Sequence, residues 1–185
     1  DKAGYTEYMA RLGEAAGVEI KTLADIRTAM DKRIAFFEDM GCRATDHALE
    51  YVFCRPASED EVNAIMAKAL RGEAVTAEET EAYKTAVLTY LAGEYYKRGW
   101  VMQLHFATLR DLNTEMYKKL GPDTGFDSIA AGNCGKGLAA FLDHLHELGI
   151  LPKTILYSGT PSDNAMIGTI IGCFQGPEAR GKIQQ

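Results

Sequence analysis

Trp100-Val101-Met102-Gln103-Leu104-His105-Phe106 is the stretch on which the fold turns. A short run so rich in large apolar residues, with Gly99 just before it, predicts a strand over 100–106. Immediately upstream, Thr76-Ala77-Glu78-Glu79 has the form of a capping box. It opens a helix through Ala82, Tyr83, Ala86, Val87, Tyr90, Leu91 and Tyr95 that ends at Gly99. A second box, Ser58-Glu59-Asp60-Glu61, opens a helix with Val62, Ile65, Met66 and Leu70 on one face, stopped by Gly72. Residues 58–98 are thus a helical pair placed between two strands. The earlier strand is Cys42-Arg43-Ala44-Thr45-Asp46-His47, held between Gly41 and the loop leading to Pro56.

Residues 1–40 are helical in pattern. Thr22-Leu23-Ala24-Asp25 resembles a third box, and Leu23, Ile26, Met30, Ile34 and Phe37 follow at helical spacing. Downstream of the central strand, residues 107–136 show little periodicity and contain Gly121-Pro122-Asp123-Thr124-Gly125. A connection that long is usually functional or disordered. Then come a helix over 137–148, a strand over 154–158, a helix from Asp163 to about Phe174 capped by Asp163, and the start of a strand near 182–185. The glycines of Gly168-Thr169-Ile170-Ile171-Gly172 are best explained by close packing against a neighbour.

Strands alternating with helices imply right-handed crossovers and a parallel sheet, hence an α/β fold. A closed (β/α)8 barrel needs about 250 residues, so this chain is either a small open sheet or an interior slice of a barrel. Residues 1–185 are read as a single segment. The chain opens on Asp1 rather than Met, which suggests a fragment or a processed product.

With 20 Lys and Arg against 26 Asp and Glu, the formal charge is −6. That balance argues against electrostatic capture of nucleic acid or of an anionic membrane. No apolar run approaches a membrane span, and no basic-then-apolar leader is visible. The four cysteines, Cys42, Cys54, Cys134 and Cys173, show no Cys-x-x-Cys pairing. Reduced thiols in a cytoplasmic protein are expected.

In parallel α/β folds, functional groups gather at the C-terminal ends of strands. Asp46 and His47 end the first strand, as acid–base or substrate-binding groups or merely as polar caps of the next loop. His105 closes the central strand and could bind a metal, donate a hydrogen bond or move a proton; a core histidine bonded to a carbonyl is the plain alternative. Arg110 could hold a carboxylate, or it could be solvated. Ser158 ends the next strand. His144 and His146, two apart on a helix, point to different faces and make a poor metal pair. A nucleophilic Cys134 within Asn133-Cys134-Gly135 has no base nearby in sequence.

Three segments carry a family resemblance. Gly41-Cys42-Arg43-Ala44-Thr45-Asp46-His47-Ala48-Leu49-Glu50 resembles the fourth-strand motif of uronate isomerases. Met102-Gln103-Leu104-His105, Leu109-Arg110 and Leu120-Gly121-Pro122-Asp123-Thr124-Gly125-Phe126-Asp127-Ser128-Ile129 resemble the fifth strand and its loop. Leu151-Pro152-Lys153-Thr154-Ile155-Leu156-Tyr157-Ser158, Asp163-Asn164, Phe174-Gln175-Gly176 and Gly181-Lys182-Ile183-Gln184 resemble the sixth strand and the approach to the seventh. Asp1-Lys2-Ala3 is similar to the stretch after a third-strand arginine. The run from Leu120 to Ile129 is the most specific of these.

The resemblance implies part of a (β/α)8 barrel of the amidohydrolase superfamily. It further implies aldose–ketose isomerisation of D-glucuronate to D-fructuronate and of D-galacturonate to D-tagaturonate. It implies catalytic or substrate contacts at His105, Asp46 and His47, with Arg110 near the substrate carboxylate. A divalent metal, zinc above all, is implied for full-length members, on a His-x-His and an Asp that this sequence lacks, so no metal or other cofactor is expected on this segment. The partner implied is a small sugar acid, and a homo-oligomer is compatible. The alternative is a non-catalytic barrel piece acting as a scaffold or assembly domain.

Overall fold

The computed structural model describes residues 4–130 and 134–185. The similarity placed on Asp1-Lys2-Ala3 and the Asn133 part of Asn133-Cys134-Gly135 fall outside the described residues. The chain divides into two compact units, Asp1–Arg43 with Cys54–Glu94, and Ala44–Phe53 with Tyr95–Gln185.

In the first unit, α1 (Tyr5–Ala16), α2 (Leu23–Asp39), α3 (Glu59–Leu70) and most of α4 (Ala77–Arg98) bury one apolar cluster. Met9, Leu23, Ile26, Ala29, Val62 and Met66 are its centre, with Tyr83 and Val87 packed on it. The caps form as their sequences dictate. Thr22 accepts from the Asp25 amide while the Asp25 carboxylate accepts from the Thr22 amide, 2.8 Å away. Ser58 accepts from the Glu61 amide, and Thr76 and Glu79 bond reciprocally. Each cap satisfies an amide that the first helical turn leaves without a partner, although the Glu61 carboxylate pairs with Arg55 instead of closing its box.

The second unit is built on a four-stranded parallel sheet in the order β1 (Ala44–Ala48), β2 (Val101–Phe106), β5 (Lys153–Ser158), β6 (Ile183–Gln184). The three main strands are parallel neighbours in chain order, as the alternation predicts. Asp46 is opposite Gln103, and Ala48, His105 and Tyr157 share one level. Successive side chains alternate across a sheet, so this register gives each face its character. Met102, Leu104, Phe106, Thr154 and Leu156 are all buried, and the register puts them on one face. Asp46, Gln103, His105 and Tyr157 are on the other, with part of each exposed. Helix α6 (Gly135–Glu147) buries Leu138, Phe141, Leu142 and Leu145, and α7 (Asn164–Cys173) buries Ile167.

Four expectations need correction. The first strand starts at Ala44, because the amides before it finish α2: Gly41, at φ +88°, donates to Glu38 and Cys42 to Phe37. The stretch after β2 is not structureless. It holds α5 (Thr114–Leu120) and an antiparallel pair, β3 (Thr108–Leu109) with β4 (Ser128–Ile129). These elements are too short to show a period. Asp163 gives α7 no side-chain cap; a 3-10 turn, Pro161–Asp163, leads in instead, and its carboxylate accepts from Ser158. Finally, a Cβ added at Gly168 or Gly172 would meet no described atom within 4 Å. Close packing therefore does not explain those glycines.

Candidate active site

The polar face of the sheet brings three strands together at their C-terminal ends. Asp46 Oδ1 lies 2.6 Å from His105 Nδ1. The His105 ring stacks on Tyr157, with centroids 4.3 Å apart and planes 4° from parallel. The Tyr157 hydroxyl donates to Gln103 Oε1 at 2.8 Å. These contacts follow from register: His105 and Tyr157 share a level, and Asp46 stands on the neighbouring strand two residues before the partner of His105.

An ionised carboxylate can only accept, so its bond to His105 puts the ring proton on Nδ1. In the neutral ring, Nε2 then holds the lone pair, and no described residue hydrogen-bonds to it. The stack on Tyr157 holds the ring plane and Asp46 holds its rotation. The arrangement is that of an oriented imidazole able to accept a proton from a hydroxyl and return it.

His47 does not join this group. It faces the opposite side of the sheet, where its ring lies 5.8 Å from that of Tyr95. Tyr95 in turn stacks on Trp100 at 6.1 Å. Its Nε2 is buried without a partner among the described residues. Burial lowers its pKa from the ordinary histidine value of 6.5, against a smaller opposing effect of the Asp46 charge. The alternation of a strand makes consecutive residues serve different faces, so Asp46 and His47 could not both reach His105.

Arg110 is engaged within its own loop. Its Nη1 lies 3.1 Å from Asp127 Oδ2 and 3.3 Å from Asp123 Oδ1. Ser158 holds the turn after β5, accepting from the Thr160 amide and donating to Asp163. Cys134 is buried, and burial first, then the charge of Asp163, raises its thiol pKa. That makes it a poor nucleophile. His144 and His146 are both in the last turn of α6.

Gln103 and Tyr157 escaped the sequence reading. The signal was present in the alternation itself: counting back two from His105 reaches Gln103. Tyr157 needed the pairing of β2 with β5, which no single strand specifies.

A family model described as glucuronate isomerase matches residues 1–185. The chain belongs to that family. It is 48 % identical to the uronate isomerase of Lachnospira eligens over all of this chain and 40 % of that protein. It is likewise 48 % identical to the uronate isomerase of Clostridium acetobutylicum, over 39 % of its length. The crystal structure of uronate isomerase from Thermotoga maritima superposes on 99 % of this chain and 39 % of its own, with a TM-score of 0.88 and 32 % identity. That of glucuronate isomerase from Caulobacter crescentus matches in fold, with a TM-score of 0.77 at 23 % identity over 88 % of this chain and 33 % of its own. The chain therefore spans about two fifths of the length of the curated relatives it matches. The scaffold alternative gains no support from these relatives.

No group of three His, Cys, Asp or Glu side chains among the described residues could hold a metal ion. Asp46 and His105 supply two such groups, already bonded to each other. A stable site takes three or four ligands. The described residues do not fit the divalent ion implied for full-length members. Among the described residues no helix is long and apolar enough to cross a membrane.

Proposed function

We propose that this segment supplies a substrate-contacting wall of a uronate isomerase. The enzyme would interconvert D-glucuronate and D-fructuronate, and D-galacturonate and D-tagaturonate, in the cytoplasm. The four parallel strands are an arc of a (β/α)8 barrel of the amidohydrolase superfamily, with the polar face turned to the barrel interior. Family membership supports the reaction class, and the strand-end position of the polar group supports the placement.

In the isomerisation the open-chain sugar loses the proton on C2 and gains one on C1. The O2 hydroxyl gives up its proton as O1 takes one, through an enediol. His105, with Nδ1 held by Asp46, offers Nε2 to one of those oxygens. It accepts the hydroxyl proton and returns it, while Asp46 stabilises the transient imidazolium. Tyr157 keeps the ring edge-on to the ligand. The observation that carries this reading is the 2.6 Å contact between Asp46 and His105.

The test is to assay the complete product of the gene for conversion of both uronates, as the wild type and as His105→Asn. The variant is expected to lose kcat by on the order of 10²-fold or more with its melting temperature retained. A variant that melts early yet turns over normally would make His105 a packing residue. A wild type that isomerises neither sugar would overturn the reaction class.

A further inference from the structure

We infer that Arg110 is a positioning residue, its guanidinium committed to bracing the excursion after β2 rather than to the carboxylate of a substrate. The inference rests on the isomerase reading above. The excursion leaves the sheet at Ala107, two residues after His105, and returns at Ala130, whose amide donates to the Ala107 carbonyl at 3.0 Å. The Thr160 hydroxyl donates to the Ala130 carbonyl at 2.8 Å, tying the return point to the turn after β5.

Between those points the segment lacks a core. Helix α5 has no buried residue, and Leu112, Tyr117, Leu120 and Ile129 are exposed. What orders it is polar. Besides the two carboxylates on Arg110, the Asp111 amide donates to Asp127 at 2.9 Å and the Asp123 amide to Asp111 at 3.3 Å. The Leu112 amide donates to the Phe126 carbonyl at 2.9 Å. Asp111 and Asp123 both adopt left-handed backbone, at φ 53° and 58°. Non-glycine residues persist there only where their surroundings hold them. The ring of Arg110, Asp111, Asp123 and Asp127 is what holds them here.

The charge of the ring also speaks against substrate capture. One guanidinium sits among three aspartates, so an incoming carboxylate would meet net negative charge. To bond at Arg110 Nη1 it would compete with Asp127, which is fixed at its other oxygen by the Asp111 amide. The brace thus shapes the loop beside His105 without touching the sugar.

Hydrogen exchange on the 185-residue chain tests this without any need for activity. Arg110→Gln and Asp127→Asn are each expected to speed exchange at the Leu112, Tyr117 and Gly121 amides, by about two- to fivefold, the upper range for exposed ion pairs. The double variant should add nothing further, and Arg110→Lys should recover part of the protection. In the complete gene product, both single variants should lower kcat/KM for glucuronate by similar factors. Unchanged exchange in both single variants would overturn the brace. A rise in KM confined to Arg110→Gln, with Asp127→Asn normal, would make Arg110 a substrate contact and overturn the proposal. Loss of the reaction class itself would leave the exchange result standing, so the two failures are distinguishable.

Discussion

Asp46 and His47 are adjacent in β1, yet one stands 2.6 Å from the catalytic candidate His105 and the other is half-buried beside Tyr95 on the far side of the sheet. A single peptide bond separates a carboxylate on the exposed polar face from an imidazole packed beside an aromatic ring. The two residues are therefore expected to respond to substitution in opposite ways.

Asp46→Asn should lower kcat by about 10- to 100-fold in the complete gene product, because the imidazolium formed at His105 loses its compensating charge. Its side chain is 62 % exposed, so the thermal midpoint should hardly move. A matching loss of stability would show instead that Asp46 is structural.

His47 predicts an acid-sensitive fold. Its folded pKa lies below the value of 6.5, so the unfolded chain binds the proton first. The contribution to stability is then fully present above about pH 6.5 and is lost as the pH falls from there toward the folded pKa. Thermal midpoints measured from pH 8 to pH 5 should fall over that window. His47→Phe removes an unpartnered polar nitrogen and keeps a ring beside Tyr95, so its profile should be flatter. An equal slope in the two proteins would place the acid sensitivity elsewhere.

The glycines divide by their surroundings. A Cβ at Gly159 would stand 2.6 Å from the Ala107 carbonyl oxygen and 2.7 Å from Thr108 Oγ1. Gly159→Ala should therefore destabilise by roughly 1–3 kcal/mol through forced backbone shifts. Gly168→Ala, on the open side of α7, should stabilise by about 0.5–1 kcal/mol through helix propensity alone. Urea unfolding of both variants checks the pair, and a destabilised Gly168→Ala would reveal a neighbour that the described residues lack.

Metal binding offers a separate check. With no three-ligand cluster among the described residues, equilibrium dialysis of the 185-residue chain against zinc should find no stoichiometric site. Chelator should leave its thermal midpoint unchanged. Tight binding of one zinc per chain would mean that two or more ligands were overlooked.

Local chemistry was legible without coordinates. Thr22, Ser58 and Thr76 each cap the helix their spacing announces, because a capping box is closed within four residues. The apolar runs of β2 and β5 declare themselves through composition, and the alternation with helices implies their parallel order. His105 stood out as a polar residue near the end of an otherwise apolar strand.

Pairing across the sheet belongs to the tertiary structure. The approach of Asp46 to His105, the stack of Tyr157 on that ring and the separation of His47 from both depend on register. Register is fixed by which faces are buried and not by any one strand. The same holds for β3 with β4 and for the ring around Arg110, whose partners lie 13 and 17 residues away. Sequence placed the chemical groups on their elements; only the packed sheet decided which of them meet, because a shift of one residue sends every side chain to the opposite face.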